Sequence, residues 1–202
     1  MENREQQMKA LWKTHQLSFK EYAKKTPLAE LREIFQPQEP LENEEFRPIS
    51  TIHGQTTDYE ISRRGLIISY KTSNPKPMNW SSVATRCYPH VGLTMKNLNK
   101  NEKVTAKVHK LVALTFFDEM ELPDFIYEAG WHDWTDELKW KFITDVLVID
   151  HIDGCTWNPH VNNLRFISNG DNSKEGIQNS AKTKGGSHRS KVALRILNGE
   201  TN

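Results

Sequence analysis

The sequence predicts an α+β fold, and three changes of pattern along its 202 residues carry that reading. Residues 1–43 set apolar side chains at helical spacing. From Glu44 to about Val108, β-branched and aromatic residues alternate with polar ones between turn residues. Residues 146–179 then read strand, loop, strand, helix. With 36% apolar and 26% charged residues, one packed domain with appendages is within reach.

In the first segment, Met8, Leu11, Trp12 and His15 share a helical face. Ser18 with Glu21 reads as a capping box, and Thr26 as an N-cap before Pro27 at the first helical position. QPQEPLENEE follows as a polar linker. The segment is expected to be a helical extension, solvated or partner-binding.

In the β-rich segment, Tyr59 and Ile61 on one side and Leu66–Tyr70 on the other flank a turn at Arg63-Arg64-Gly65. A second strand region spans Arg86–Thr94. A third, Val104–Val108, follows the basic turn KNLNKNEK. VHKLVALTFF closes the segment as a short helix, with Val108, Leu111, Val112 and Thr115 on one face and Phe116 beside them.

The whole-chain charge of +1 conceals a polarised chain. Asp118–Asp145 carries nine acids and two bases, a net of −7. Residues 172–202 carry six bases (Lys174, Lys182, Lys184, Arg189, Lys191, Arg195) and two acids, a net of +4. The acidic segment also holds Trp131, Trp134 and Trp140, with Trp134, Leu138 and Lys141 at helical spacing. It reads as a packed insertion or a partner site, and its charge repels phosphate.

No apolar run approaches the roughly 20 residues of a membrane span, and the N-terminus lacks the apolar centre of a signal peptide. A cytoplasmic protein that engages no membrane is expected. Cys87 and Cys155 cannot by themselves make a Cys₄ or Cys₂His₂ zinc site, and a reducing compartment disfavours a disulfide between them. They read as buried or idle thiols, and no structural zinc is expected.

The chemistry concentrates in VLVIDHIDGCTWNPHVNNLRFISNGDNSKEGIQN, residues 146–179. An apolar strand, Val146–Ile149, leads into Asp150-His151. Leu164–Ile167 is a second strand, preceded by Asn162-Asn163. Ser168 or Asn169 can cap a helix carrying Asn172. Phosphodiester hydrolysis needs an activated water and a counter-charge for the leaving oxygen. A histidine can take the water's proton. A hard divalent cation can supply the counter-charge while needing only one or two protein oxygens. Asp150 offers a carboxylate and Asn172 a carbonyl. Adjacent strand residues point to opposite faces, so Asp150 and His151 can serve one phosphate only if the strand ends between them.

The ordered run D-H-I-D-G, then N-x-x-x-x-N-L-R-F-I, then N, resembles the HNH (ββα-metal, His-Me finger) nucleases. It is most similar to the His-Asn-Asn subtype of phage intron-encoded and free-standing homing endonucleases. His151, Asn163 and Asn172 occupy the three signature positions. The resemblance implies His151 as general base, Asp150 and Asn172 as metal ligands, and Asn163 as the brace that orients His151. Upstream, EEFRPI and YEISRRGLIISYK are similar to the β-rich module that precedes the core in such enzymes, and VHKLVALTFF to its closing helix. The likeness runs from Glu44 to roughly Asn179. Cys155 departs from the Asn common after the Gly, TWNPHV departs from a polar loop, and the insertion before the motif is longer than usual. His160 reads as a loop residue or at most a phosphate contact. Without CxxC pairs the core is expected to be held by Val146, Val148, Leu164 and Phe166.

The resulting organisation is a helical extension (1–43), a β-rich DNA-contacting module (44–117), an acidic Trp-rich insertion (118–145), an HNH core (146–180) and a basic tail (181–202). The expected function is cleavage of double-stranded DNA by a monomer that nicks one strand, with one Mg²⁺ or Mn²⁺ ion per active site. Arg63, Arg64, Lys96, Lys100, Lys103, Arg165, Lys182, Lys184, Arg189 and Lys191 are the expected nucleic-acid contacts. A catalytically silent DNA-binding protein of the same descent, an HNH nuclease with a non-homing role, and an interaction protein built around the Trp-rich segment stand as alternatives.

Overall fold

The computed structural model describes residues 19–51, 54–81, 87–97 and 100–168. The expectations at Met8–Ser18, the helix carrying Asn172, and the basic tail lie outside these residues.

Two helices open the described chain, α1 (Phe19–Lys25) and α2 (Leu28–Phe35). Phe19, Tyr22 and Ala23 are buried at the i, i+3, i+4 spacing that lines one helical face. Thr26 does not cap α2 as expected: Pro27 holds the N-cap position without a side-chain cap, and the Thr26 hydroxyl donates back to the Tyr22 carbonyl at 2.9 Å. A threonine one turn beyond a carbonyl satisfies its hydroxyl locally, and so stays with the preceding helix. Gln36, the first residue of the expected polar linker, is also buried. Its Nε2 donates to the Met78 carbonyl and its Oε1 accepts from the Trp80 N–H.

The β-rich segment forms two sheets. Strands β1 (Phe46–Thr51), β2 (Gly54–Ser62), β3 (Ile67–Ser69) and β4 (Lys76–Pro77) pair antiparallel in that order. Pro48 sits in β1, an edge strand, beside a register shift between Pro48 and Ser50; an edge tolerates the missing N–H. Strands β5 (His90–Asn97) and β6 (Lys100–Lys107) make a separate antiparallel ribbon. The basic stretch expected as a turn therefore lies largely in strand, down to the pair Asn97↔Lys100, because the ladder continues through polar residues that carry no turn geometry of their own. Helix α3 (Val108–Thr115) follows at once and packs on β1 and β2, burying Val108, His109, Leu111, Val112 and Ala113.

The turn at Arg63–Gly65 forms where expected, with Gly65 at φ +82°. A Cβ there would lie 2.9 Å from both Pro159 and Val108 and 3.2 Å from Trp80. Glycine is needed both for the backbone angle and for the space.

The chain divides into two compact units. The first takes its described residues from Met1–Asp118 and His151–Leu164, and its core includes Trp80 and Trp157, with ring centroids 6.2 Å apart. The second takes them from Glu119–Asp150 and from Arg165 onward. It contains α4 (Asp124–Glu128) and α5 (Asp136–Asp145) around Phe142, which is met by Trp134 at 5.1 Å and Phe125 at 6.5 Å. Trp134 precedes α5 in extended conformation instead of sharing a helical face with Leu138, because Thr135 caps the helix by accepting the Leu138 N–H. Among the described residues no helix is long and apolar enough to cross a membrane.

The last two strands, β7 (Val148–His151) and β8 (Leu164–Ile167), pair with each other. Strand β7 begins two residues later than expected. Val146, Leu147, Leu164 and Phe166 are buried, whereas Val148 is only half-buried. Within β7 alternate side chains face opposite ways, which takes Val148 out of the expected core set.

Candidate active site

His151 is the last residue of β7, so the strand does not end between Asp150 and His151 as joint service of one phosphate was expected to require. The chain instead turns immediately after His151, with the Gly154 N–H donating to the His151 carbonyl at 2.8 Å and Gly154 at φ +72°. The Ile152 N–H donates to the Asn163 carbonyl at 2.8 Å, which closes the excursion between the two strands.

That excursion, residues 152–163, is held by a compact polar network. The Asn163 side chain accepts from the Asp153 N–H at 3.0 Å and donates to both Asp153 Oδ1 and the Asn158 carbonyl at 2.9 Å. Asp153 also accepts from the Cys155 N–H and from Asn158 Nδ2. Asp153 is thus the hub of the loop, a role the sequence reading did not assign to the second Asp of D-H-I-D-G. His160 serves the loop itself: its ring Nδ1 accepts from the Asn162 N–H at 3.1 Å.

The departure TWNPHV has a physical explanation. Cys155, Trp157, Pro159 and Val161 are buried while Thr156, Asn158, His160 and Asn162 are not. The loop buries every second residue without being a strand. Trp157 meets Phe35 and Trp80, and the Val161 N–H donates to the Arg63 carbonyl at 2.9 Å. The two cysteines are not joined in a disulfide, and both are buried. Burial, and then the charge of Asp153, push the Cys155 thiol far up, so it is an inert packing group.

His151 itself is buried, with 6% of its surface exposed. Its ring meets His109 edge-to-face at 4.9 Å (interplanar angle 74°) and Tyr88 at 6.0 Å. His109 is 3% exposed and 4.9 Å from Tyr88, and Lys107 Nζ lies 4.4 Å above the Tyr88 ring. Burial above all, with electrostatic interactions from His151, Lys107, Lys110 and His90 acting the same way, holds the His109 imidazole well below its ordinary value. It is therefore neutral at pH 7. The sequence reading missed His109, although its place between Val108 and Leu111 on a buried helix marks it as an interior histidine.

Asp150, the preceding residue of β7, is half-buried. Its Oδ2 accepts from Arg165 Nε at 2.9 Å and lies 2.8 Å from the second guanidinium nitrogen. Arg165, an expected DNA contact, is paired with Asp150 in this structure. Arg64 is likewise engaged: it grips Glu44 through two hydrogen bonds of 2.9 and 2.6 Å and donates to the Glu39 carbonyl. Burial opposes the Glu44 charge, but the hydrogen bonds from Arg64, Leu41 and Ser62 and the Arg64 charge hold its carboxyl below the ordinary value. Arg63 reaches Glu45 at 3.4 Å and lies 5.9 Å from the Phe116 ring centroid. Lys103 is exposed on β6, and Lys96 and Lys100 lie in the same ribbon. Asn172, Lys182, Lys184, Arg189 and Lys191 lie outside the described residues. Among the described residues no group of three or more His, Cys, Asp or Glu is placed to hold a metal ion.

No family model matches the chain, and no curated protein matches it. One solved structure, described as DNA binding and cleavage by the HNH homing endonuclease I-HmuI, is similar over 76% of this chain and 68% of its own, at 21% identity and a TM-score of 0.44. Those values do not make the chain a member of that family.

Proposed function

We propose that the chain is a metal-dependent HNH-type DNA endonuclease of homing type, encoded by a phage, with His151 as its general base. The observation that carries this reading is the closed excursion after His151, in which the Ile152 N–H meets the Asn163 carbonyl and the Asn163 amide ties down Asp153 and Asn158. The ordered residue set suits hydrolysis: His151 takes a proton from water, Asn163 keeps the loop in register, and Asp150 and Asn172 would hold the ion, an arrangement that requires the turn directly after His151, in place of a strand end before it, to bring both side chains to one phosphate. Asp150 fits a hard divalent ion, since it presents a carboxylate oxygen pair of which Oδ2 meets Arg165. When bound, Mg²⁺ or Mn²⁺ neutralises the phosphate and the leaving oxygen. Lys96, Lys100 and Lys103 of the ribbon, together with the basic tail, supply phosphate contacts.

The Asp150–Arg165 pair favours a second reading, DNA binding without cleavage, because it already neutralises the carboxylate. Supercoiled plasmid carrying phage and host sequences, incubated with and without Mg²⁺ at low enzyme, separates the two. Metal-dependent open circles, with breaks mapped to one strand by primer extension, are expected of a nicking monomer. Linear product from the start would show paired active sites, and binding without breaks would establish the silent reading.

A further inference from the structure

We infer that His109 is a positioning residue for His151: its buried imidazole, edge-to-face at 4.9 Å, fixes the orientation of the His151 ring. The inference rests on the reading of His151 as general base. His109 is carried by a firmly seated element, since Val108, Leu111 and Val112 of α3 are buried and the Val108 N–H donates to the Pro89 carbonyl at 3.0 Å. Tyr88 backs His109 from another side at 4.9 Å, and its own carbonyl lies 2.9 Å from Nδ1 of buried His90. The three rings of Tyr88, His109 and His151 therefore contact one another in sequence-distant positions.

Filling space does not by itself account for a ring at this position. His109 Nδ1 is buried without a hydrogen-bond partner among the described residues. Such a group carries a desolvation cost that an aliphatic side chain of similar volume would avoid. A ring also does what an aliphatic side chain cannot, because aromatic pairs prefer a defined edge-to-face geometry over free rotation. The neutral state of His109 adds that it places no positive charge beside His151. A base held in one rotamer is already aimed, and a displacement of about 1 Å at such a group can cost on the order of 10²-fold in rate.

His109→Leu fills the space without a ring, and His109→Phe keeps the ring without the nitrogens. Both are compared with wild type by circular dichroism, DNA affinity and single-turnover cleavage in Mg²⁺. The expected result is intact folding and DNA affinity in both, a cleavage rate reduced about tenfold or more in the Leu variant, and near-normal cleavage in the Phe variant. Wild-type cleavage by the Leu variant, or equal loss in both, overturns the inference. A second measurement does not depend on cleavage: imidazole-selective NMR reads the His151 side-chain rotamer. One rotamer in wild type and Phe, with a mixture in Leu, supports the inference, and one rotamer in all three overturns it. Absence of cleavage by wild type would overturn the nuclease reading and leave the ring coupling to be decided by NMR.

Discussion

Asp150 and His151 are consecutive residues of one strand with opposite surroundings. His151 is 6% exposed and set among aromatic rings, whereas the Asp150 side chain is 23% exposed and faces a guanidinium. Strand alternation alone produces the contrast. The two positions answer to different forces. The histidine is packed among rings, where little change is tolerated, while the carboxylate meets a guanidinium, which can be exchanged for another cation.

The largest expected effect falls on the buried member. His151→Ala should lower the cleavage rate by about 10²–10⁴-fold, the usual contribution of a general base, while gel-shift affinity for DNA persists. Cleavage at the wild-type rate would remove His151 from the chemistry.

Gly65→Ala strikes the wall behind the loop, where the added methyl would lie 2.9 Å from Pro159 and Val108 at positive φ. Overpacking and backbone strain each cost on the order of 1–3 kcal/mol, so thermal unfolding should shift down by several degrees or more. An unshifted transition would show that the turn does not support the loop.

Asn163→Ala removes three side-chain hydrogen bonds from the loop. A loss of about 1–3 kcal/mol is expected from the groups left unpaired. Residues 154–162 should become more sensitive to limited proteolysis, and activity should fall. Unchanged digestion would reduce Asn163 to a turn residue.

The buried histidines also predict a pH dependence. Burial first, and electrostatic interactions with His151, Lys107, Lys110 and His90 second, lower His109; burial, and less strongly the Lys107 charge, lower His90, although its contact with the Tyr88 carbonyl opposes this. Below the ordinary value of 6.5 the unfolded chain takes up protons that the folded chain refuses. Stability is therefore complete above pH 6.5 and declines as pH falls toward 5, by at most about 1.4 kcal/mol per pH unit per histidine. Melting temperatures across this window check the sign, and His109→Leu should flatten the slope.

The smallest effect belongs to the exchangeable side. Arg165→Gln breaks an ion pair that is partly exposed, worth about 0–1 kcal/mol. Stability should barely change, while the Mg²⁺ concentration for half-maximal cleavage should fall as Asp150 is released. A rise would mean that Arg165 helps to arrange the carboxylate.

Much of this was legible because it is local. The Gly65 turn follows from a residue that alone accepts the angle without strain, helix α3 from apolar residues at 3.6 spacing, and β8 from alternation in LRFI. Other features were visible in principle but obscured. The loop Cys155–Asn162 alternates buried and open residues like a strand, yet Pro and Asn mark it as a turn, so the burial of Trp157 was not legible. Thr26-Pro27 has the composition of a helix start, but its hydroxyl found a nearer carbonyl.

The sequence by itself determined the strand-loop-strand order around Asp150 and His151, the polarity of the charge and the closing helix, since each depends on residues within a few positions of one another. Tertiary structure alone decided that His109 and Tyr88 meet His151, that Arg165 is committed to Asp150 and Arg64 to Glu44, and that Trp157 joins Trp80. Those contacts link residues 15 to 77 positions apart. Periodicity cannot specify them, because they exist only once the chain has brought distant faces together to exclude water.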